Sequence, residues 1–343
     1  MNLFTEMIHQ RTMFLLISAS LLFPLTSCEM EDIGLLRTLA GDDWVSQKTG
    51  TDNPIRDITF VDNRRGWALG YETLIRTQDG GATWEMLSLP RFLPGGVIYF
   101  TDASNGWISD FERGLLKTTD GGNTWSTILL DIYIDQFFPL DAQTAWATTI
   151  DQTILKTEDG WETWDEYEFL YIVTVMQFIN EQVGWVAGYG NEILKTEDGG
   201  RTWIDQSFNR QGNQAEINDF QDGFFLDENT GWLIGNGPGS GNQWGSYLLK
   251  TTDGGETWDS QLLGSNAYPP LAQDIHFVDS QTGYIVGTEN ERGIIMKTVD
   301  GGETWTKERL LTNKELYCMY VSEEQEIWVS GDEGVMLYRQ SGQ

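Results

Sequence analysis

The chain has 343 residues, and its 52 acidic against 21 basic side chains leave a net charge of −31. A field of that sign opposes binding to DNA, RNA or anionic lipid through charge alone. It favours solubility or the steering of cationic partners, and no nucleic-acid role is expected.

The N-terminus reads as export machinery rather than fold. Arg11 precedes an apolar run, Met13 to Leu25, that is too short to span a bilayer and predicts a signal peptide over residues 1–27. Leu25-Thr26-Ser27-Cys28 resembles a bacterial lipobox, which implies that Cys28 is diacylated and becomes the mature N-terminus. Two or three acyl chains hold a protein stably on a membrane, whereas one does not. The expected location is therefore the bacterial cell envelope, lipid-anchored, on its periplasmic or surface face. Residues 28–42 then form an acylated acidic tether, with Leu35, Leu36 and Leu39 placed to dock against the folded domain. The remaining cysteine, Cys318, is left as a lone thiol that is safest buried in an oxidising compartment.

From residue 43 the sequence is repetitive. Six copies of Thr-x-Asp-Gly-x-x-Thr-Trp carry Asp79 and Trp84, Asp120 and Trp125, Asp159 and Trp164, Asp198 and Trp203, Asp253 and Trp258, and Asp300 and Trp305. Successive aspartates lie 41, 39, 39, 55 and 47 residues apart. A period near 40 with a turn phrase and an aromatic signals a propeller blade of four short strands. A second phrase, Phe followed by Gly-Trp as in Phe60 to Trp67, recurs in seven more or less intact copies, the last being Tyr320 to Trp328. The count thus predicts an all-β, single seven-bladed propeller over 43–343. Its last blade lacks an outer strand, and residues 43 to 48 are expected to supply it and close the ring.

Each box has a plain physical job. Its glycines give positive φ at a tight hairpin, and its aspartate and threonine accept or share bonds within the turn. The box tryptophans are expected to pack between blades. In the third copy Trp161 replaces the second glycine, which predicts a distorted turn.

These are Asp-box (BNR) repeats, shared by sialidases, some xyloglucan-cleaving hydrolases and sortilin-type receptors. The combination of Gly-Trp with Ile-Leu-Lys-Thr-x-Asp-Gly-Gly-x-Thr-Trp, as at Ile193 to Trp203, most resembles the photosystem II stability/assembly factor family. That resemblance spans residues 43 to 339 and implies a seven-bladed ring that binds and assembles rather than catalyses. It also implies docking on membrane-protein intermediates through an arginine-rich surface, but no such basic cluster stands in this sequence, so that role does not carry over.

Catalytic equipment is thin. His276 is the one histidine after the signal peptide, and its alternating neighbours mark it as an inner-strand residue. A sialidase requires three convergent arginines. Arg56, Arg91, Arg113, Arg210 and Arg292 are available, but no spacing selects three of them, and Pro54-Ile55-Arg56 has the wrong order for the sialidase phrase. No metal-ligand spacing, cofactor loop or Walker phrase occurs; Gly235 to Gly241 is glycine-rich but has no helix pattern after it, and reads as a flexible insertion. No cofactor is expected.

With the boxes on the third hairpin of each blade, the long insertions Asn209 to Asp219, Asn236 to Tyr247 and Gly264 to Gln273 fall on the opposite face. Long loops of this kind often carry function. Trp244 and Tyr268 are the aromatic contact candidates there, with Arg210, Asn213 and Arg292 as polar partners. The resulting expectation is an envelope-anchored, non-enzymatic interaction module for a protein or glycan partner. The alternative is a sialidase-like glycoside hydrolase acting on surface glycans.

Overall fold

The computed structural model describes residues 44–93, 96–110, 114–129, 133–168, 172–207, 217–238, 244–264, 270–310 and 312–341. Residues 1–43, which hold the expected signal peptide and tether with Cys28, lie outside the described residues, as do Arg210, Asn213 and Tyr268.

Seven four-stranded antiparallel sheets form the blades, each ordered A to D from the axis outward. Blade one is Ile55–Phe60, Gly66–Gly70, Thr73–Thr77 and Glu85–Leu87. Blade seven is Leu316–Val321, Ile327–Gly331 and Met336–Arg339, completed by Val45–Gln47. The pairing Val45↔Tyr338, Ser46↔Leu337 and Gln47↔Met336 closes the ring as the sequence predicts. Trp44, just ahead of that strand, occupies the place a box tryptophan holds elsewhere and is fully buried. Helix among the described residues is limited to single 3-10 turns at Tyr189–Asn191 and Asp332–Gly334.

The Gly-Trp phrase explains how blades grip one another. Five tryptophans lie flat on the phenylalanine of the next blade: Trp67 on Phe100, Trp146 on Phe178, Trp185 on Phe225, Trp232 on Phe277 and Trp328 on Phe60, with centroids 3.6–4.1 Å apart. Each of these indoles also donates its N–H to a carbonyl of that next blade's box, as Trp67 does to Gly121 at 2.9 Å. The glycine makes room for the ring. Phe60 pairs with Gly66 across the ladder, and a Cβ at Gly66 would collide with the Phe60 ring. The box tryptophans have a lesser part than expected. Trp84, Trp125, Trp203, Trp258 and Trp305 stand edge-on to the same phenylalanines at 6.0–6.3 Å, and most are only half-buried.

Blade three breaks the rule in three places at once. Ala145 stands where blades one, two, four, five and six have the glycine, Pro139 pairs with it where they have phenylalanine, and Trp161 replaces the box glycine. The distorted turn predicted there is not found. Trp161 takes φ 74°, beside 88° at Gly122, and its N–H reaches Thr157 Oγ1 at 2.9 Å as Gly122 reaches Thr118 Oγ1 at 3.0 Å. Its buried indole packs in one cluster with Trp107 and Phe137, in the seam where Pro139 replaces the usual phenylalanine. The backbone strain of a side chain in that region, about 1–2 kcal/mol, is offset by burial of a large apolar ring.

Candidate binding face

The box carboxylates are committed to their own turns. Asp300 Oδ1 accepts the Thr304 N–H at 2.9 Å and the Thr298 hydroxyl at 2.7 Å, while Oδ2 accepts the Thr304 hydroxyl at 2.6 Å. The Thr304 side chain first, then its backbone, hold the Asp300 pKa down to about 2. Asp79, Asp120, Asp159, Asp198 and Asp253 repeat the same bonds. An acceptor saturated in this way is a strut, unsuited to proton transfer.

A second set of carboxylates sits between the inner strands. Asp57 Oδ2 accepts the Ile98 N–H of blade two at 2.6 Å, Asp222 Oδ2 that of Ile275 in blade six at 2.8 Å, and Asp274 Oδ2 that of Met319 in blade seven at 2.7 Å. Burial pushes Asp57 up to about 7 and Asp222 up to about 6, against the pull of those N–H donors. Burial and then the charge of Asp222, with which it shares a hydrogen bond, raise Asp274 as well. Cys318 takes the equivalent position in blade seven, buried, with its Sγ 2.9 Å from Ser330 Oγ. His276 lies against the Phe224 ring at 4.3 Å, and burial lowers its pKa to about 4, which leaves it neutral at physiological pH. These groups tie blade to blade.

The opposite end of each blade looks different. Chain direction puts the A–B turns and the boxes on one face, and the B–C hairpins and D–A links on the other. Hydrogen bonds confirm this: Gly80 N–H reaches Arg64 O on the box face, while Tyr71, Ile150 and Tyr189 N–H reach Pro54, Tyr133 and Ile172 O on the far face. Twelve large apolar side chains are exposed among the described residues. Eight of them, Tyr71, Phe92, Tyr133, Ile150, Ile172, Tyr189, Trp244 and Leu271, stand on that far face. Tyr71 and Phe92 already form an edge-on pair at 5.5 Å. Isolated exposed apolar residues are ordinary, but an accumulation on one face marks a contact surface.

Inside this apolar rim lies a polar collar. Ladder shifts between Ile55 and Asp57, Val173 and Val175, Phe220 and Asp222, Ala272 and Asp274, and Leu316 and Cys318 leave one extra residue near the start of each of those inner strands. Those residues are Arg56, Thr174, Gln221, Gln273 and Tyr317, at the far-face mouth of the ring. The Arg56 guanidinium lies 3.6 Å over the Tyr317 ring, so a neighbouring blade orients the collar's one cation.

Of the contact residues expected from sequence, Trp244 and Arg292 are on this face. Trp244 is 56 % exposed, beside the tip of a hairpin in which Pro238↔Trp244, Gly237↔Gly245 and Asn236↔Ser246 pair. The segment read as a flexible insertion is thus in good part an extended ladder, Gly231–Pro238 against Trp244–Thr251. Arg292 follows a two-residue turn in which Asn290 and Glu291 both have positive φ, the geometry that suits hairpin twist. Among the described residues, Arg91 instead bonds Thr127 on the flank of blade two; Arg113 lies outside them. Sequence reasoning missed Tyr71, Ile150 and Tyr189. Their signal was present, namely an apolar side chain directly after a B strand, where a solvated turn calls for a polar one.

A closed ring of Asp-box blades, its boxes committed to turns and its apolar rim on the other face, defines the class as a seven-bladed Asp-box β-propeller. The chain matches the family described as photosynthesis system II assembly factor YCF48 over residues 36–166, 166–270 and 268–343, and it belongs to that family. No curated protein matches it. Among solved structures it is similar to "YCF48 bound to D1 peptide", with TM-score 0.70 and 23 % identity over 88 % of this chain and 97 % of that one. YCF48 from Cyanidioschyzon merolae gives 0.68 and 20 % identity over 87 % and 98 %. A GH74 xyloglucanase from Xanthomonas campestris gives 0.64 and 13 % identity, over 87 % of this chain and 54 % of that one. At these identities the likenesses speak for the fold alone.

Proposed function

We propose that this protein is a non-enzymatic assembly module, anchored to the cell envelope through Cys28, that holds a protein partner on the far face. The observation that carries this reading is the gathering there, around a polar collar, of eight of the twelve large apolar side chains exposed among the described residues. Aromatic anchors seated in well-packed pockets carry a large share of the energy in protein interfaces. A family relative solved with a D1 peptide supports a polypeptide as the partner's form. Arg56, held over Tyr317, is placed to meet a carboxylate or carbonyl of a segment entering the mouth. The hydrolase reading loses ground because Asp222 and Asp274 touch one another and brace strands, whereas hydrolytic carboxylates stand roughly 5–10 Å apart.

The test is envelope cross-linking with a chain carrying Tyr71→Ser, Phe92→Ser, Tyr189→Ser and Trp244→Ser. Loss of the cross-linked protein partner at an unchanged melting temperature is expected. Undiminished cross-linking, or turnover of sialosides or glucans by the unmodified chain, would overturn the reading.

A further inference from the structure

The other mouth of the ring, on the box face, holds a cavity of about 400 Å³ that the partner face does not use. That size falls within the range of small-ligand clefts, roughly 300–1,000 Å³. It is built from the A–B turns of blades one, two, three and seven, and Phe60, Tyr99 and Tyr320 wall it. Asp141, Glu323 and Glu324 stand at its edge. Among the described residues no lysine or arginine lines it, and the nearby Arg65 is already paired with Asp62.

Blade seven makes this site unlike the other turns. In blades one to six an aspartate or asparagine opens the A–B turn and commits an oxygen to two backbone N–H groups, as Asp62 does for Arg64 and Arg65. In blade seven Ser322 N–H reaches Glu326 O as Val61 N–H reaches Arg65 O, so Glu323 stands at that position, yet the turn closes through the Ser322 hydroxyl and carbonyl instead. Glu323 and Glu324 are thus exposed carboxylates that the hydrogen bonds of the turn leave unused. The tyrosines register the field: Asp141 adds to burial in raising Tyr99, while Glu323, Glu324 and Asp62 add to burial and Tyr99 in raising Tyr320 to about 12. Aromatic walls with carboxylates at the rim and no internal cation match one chemistry, an organic cation whose alkyl stem packs on the rings.

We propose that the box-face cavity bounded by Tyr99, Tyr320, Glu323 and Glu324 binds a protonated amine or guanidinium group, presented by a polyamine or by a basic peptide side chain. The site is independent of the far-face partner surface, so either can fail without the other.

Isothermal titration of the full chain with spermidine, and separately with a short capped peptide containing one arginine, tests this and distinguishes the two sources. One equivalent bound in either arm is expected, weakened at least about tenfold by Glu323→Gln with Glu324→Gln and also by Tyr99→Ala. Glu166→Gln with Glu168→Gln, on the outer strand of blade three, removes the same charge elsewhere and should leave affinity unchanged. Equal weakening by both pairs would reduce the effect to net charge and overturn the site, as would no binding or many weak equivalents. Should the blade-seven pair fail to fold, Asp141→Asn, which keeps the oxygen its turn uses, must show the same selective loss.

Discussion

Trp328 in the last blade lies 4.1 Å from the Phe60 ring in the first, and its indole N–H reaches Gly80 O at 3.3 Å. This is the same joint that links other consecutive blades, so closure of the ring is made by the ordinary seam.

Trp328→Ala should therefore cost about 3–5 kcal/mol in unfolding free energy, the usual effect of deleting a buried aromatic ring. Trp164→Ala, at a half-buried box position, should cost clearly less, about 1–2 kcal/mol. Denaturant titration of both variants reads the order, and equal losses would contradict the division of labour between the two tryptophan series.

Blade three supplies a compensation test. Trp161→Gly restores the repeat's usual residue yet should destabilise by about 2–4 kcal/mol, because it empties the seam around Trp107 and Phe137. Adding Pro139→Phe and Ala145→Gly should recover much of that loss, since the three positions share one volume. Strict additivity of the three changes would show that they are uncoupled.

The buried carboxylates give stability a pH dependence of unusual sign. Asp57 at about 7 and Asp222 at about 6 are raised above their unfolded values, so the folded chain holds protons that the unfolded chain releases. Their contribution is full below about pH 4 and is lost as pH rises toward about 7. The depressed box aspartates, such as Asp300 at about 2, act oppositely and lose their contribution only as pH falls below about 4. The melting temperature should thus peak on the acid side and decline from about pH 5 to 8. A profile that rises across that interval would refute the assignment.

Membrane attachment is tested by Cys28→Ala. The variant should leave the membrane fraction and lose incorporation of labelled fatty acid, while the purified soluble chain melts at the parent temperature. Retention on the membrane would remove the lipid anchor from the proposal.

Much of the fold was legible because the repeat states its own physics. Gly-Gly after an aspartate needs positive φ, and the residues around Trp44 resemble the strand after each box, so blade number and closure could be inferred directly. The coupling of Pro139, Ala145 and Trp161 was not legible, since it lives in a seam between blades rather than along one of them. The binding face was half visible. Trp244 and Arg292 stood out in segments of unusual length, but Tyr133 and Ile172 look like ordinary strand beginnings until the ring turns them to a common side. The box-face cavity was invisible for the same reason, as its walls come from blades one, two, three and seven.

The strand Val45–Gln47 finds its partner at Met336–Tyr338, almost the full length of the chain away. During synthesis that strand must wait, with the Trp44 indole unshielded, until Met336–Tyr338 arrives. Assembly of the circle is thus a terminal, slow event of high contact order, and a prematurely ended polypeptide keeps an open seam beside its leading end where quality-control proteases can find it.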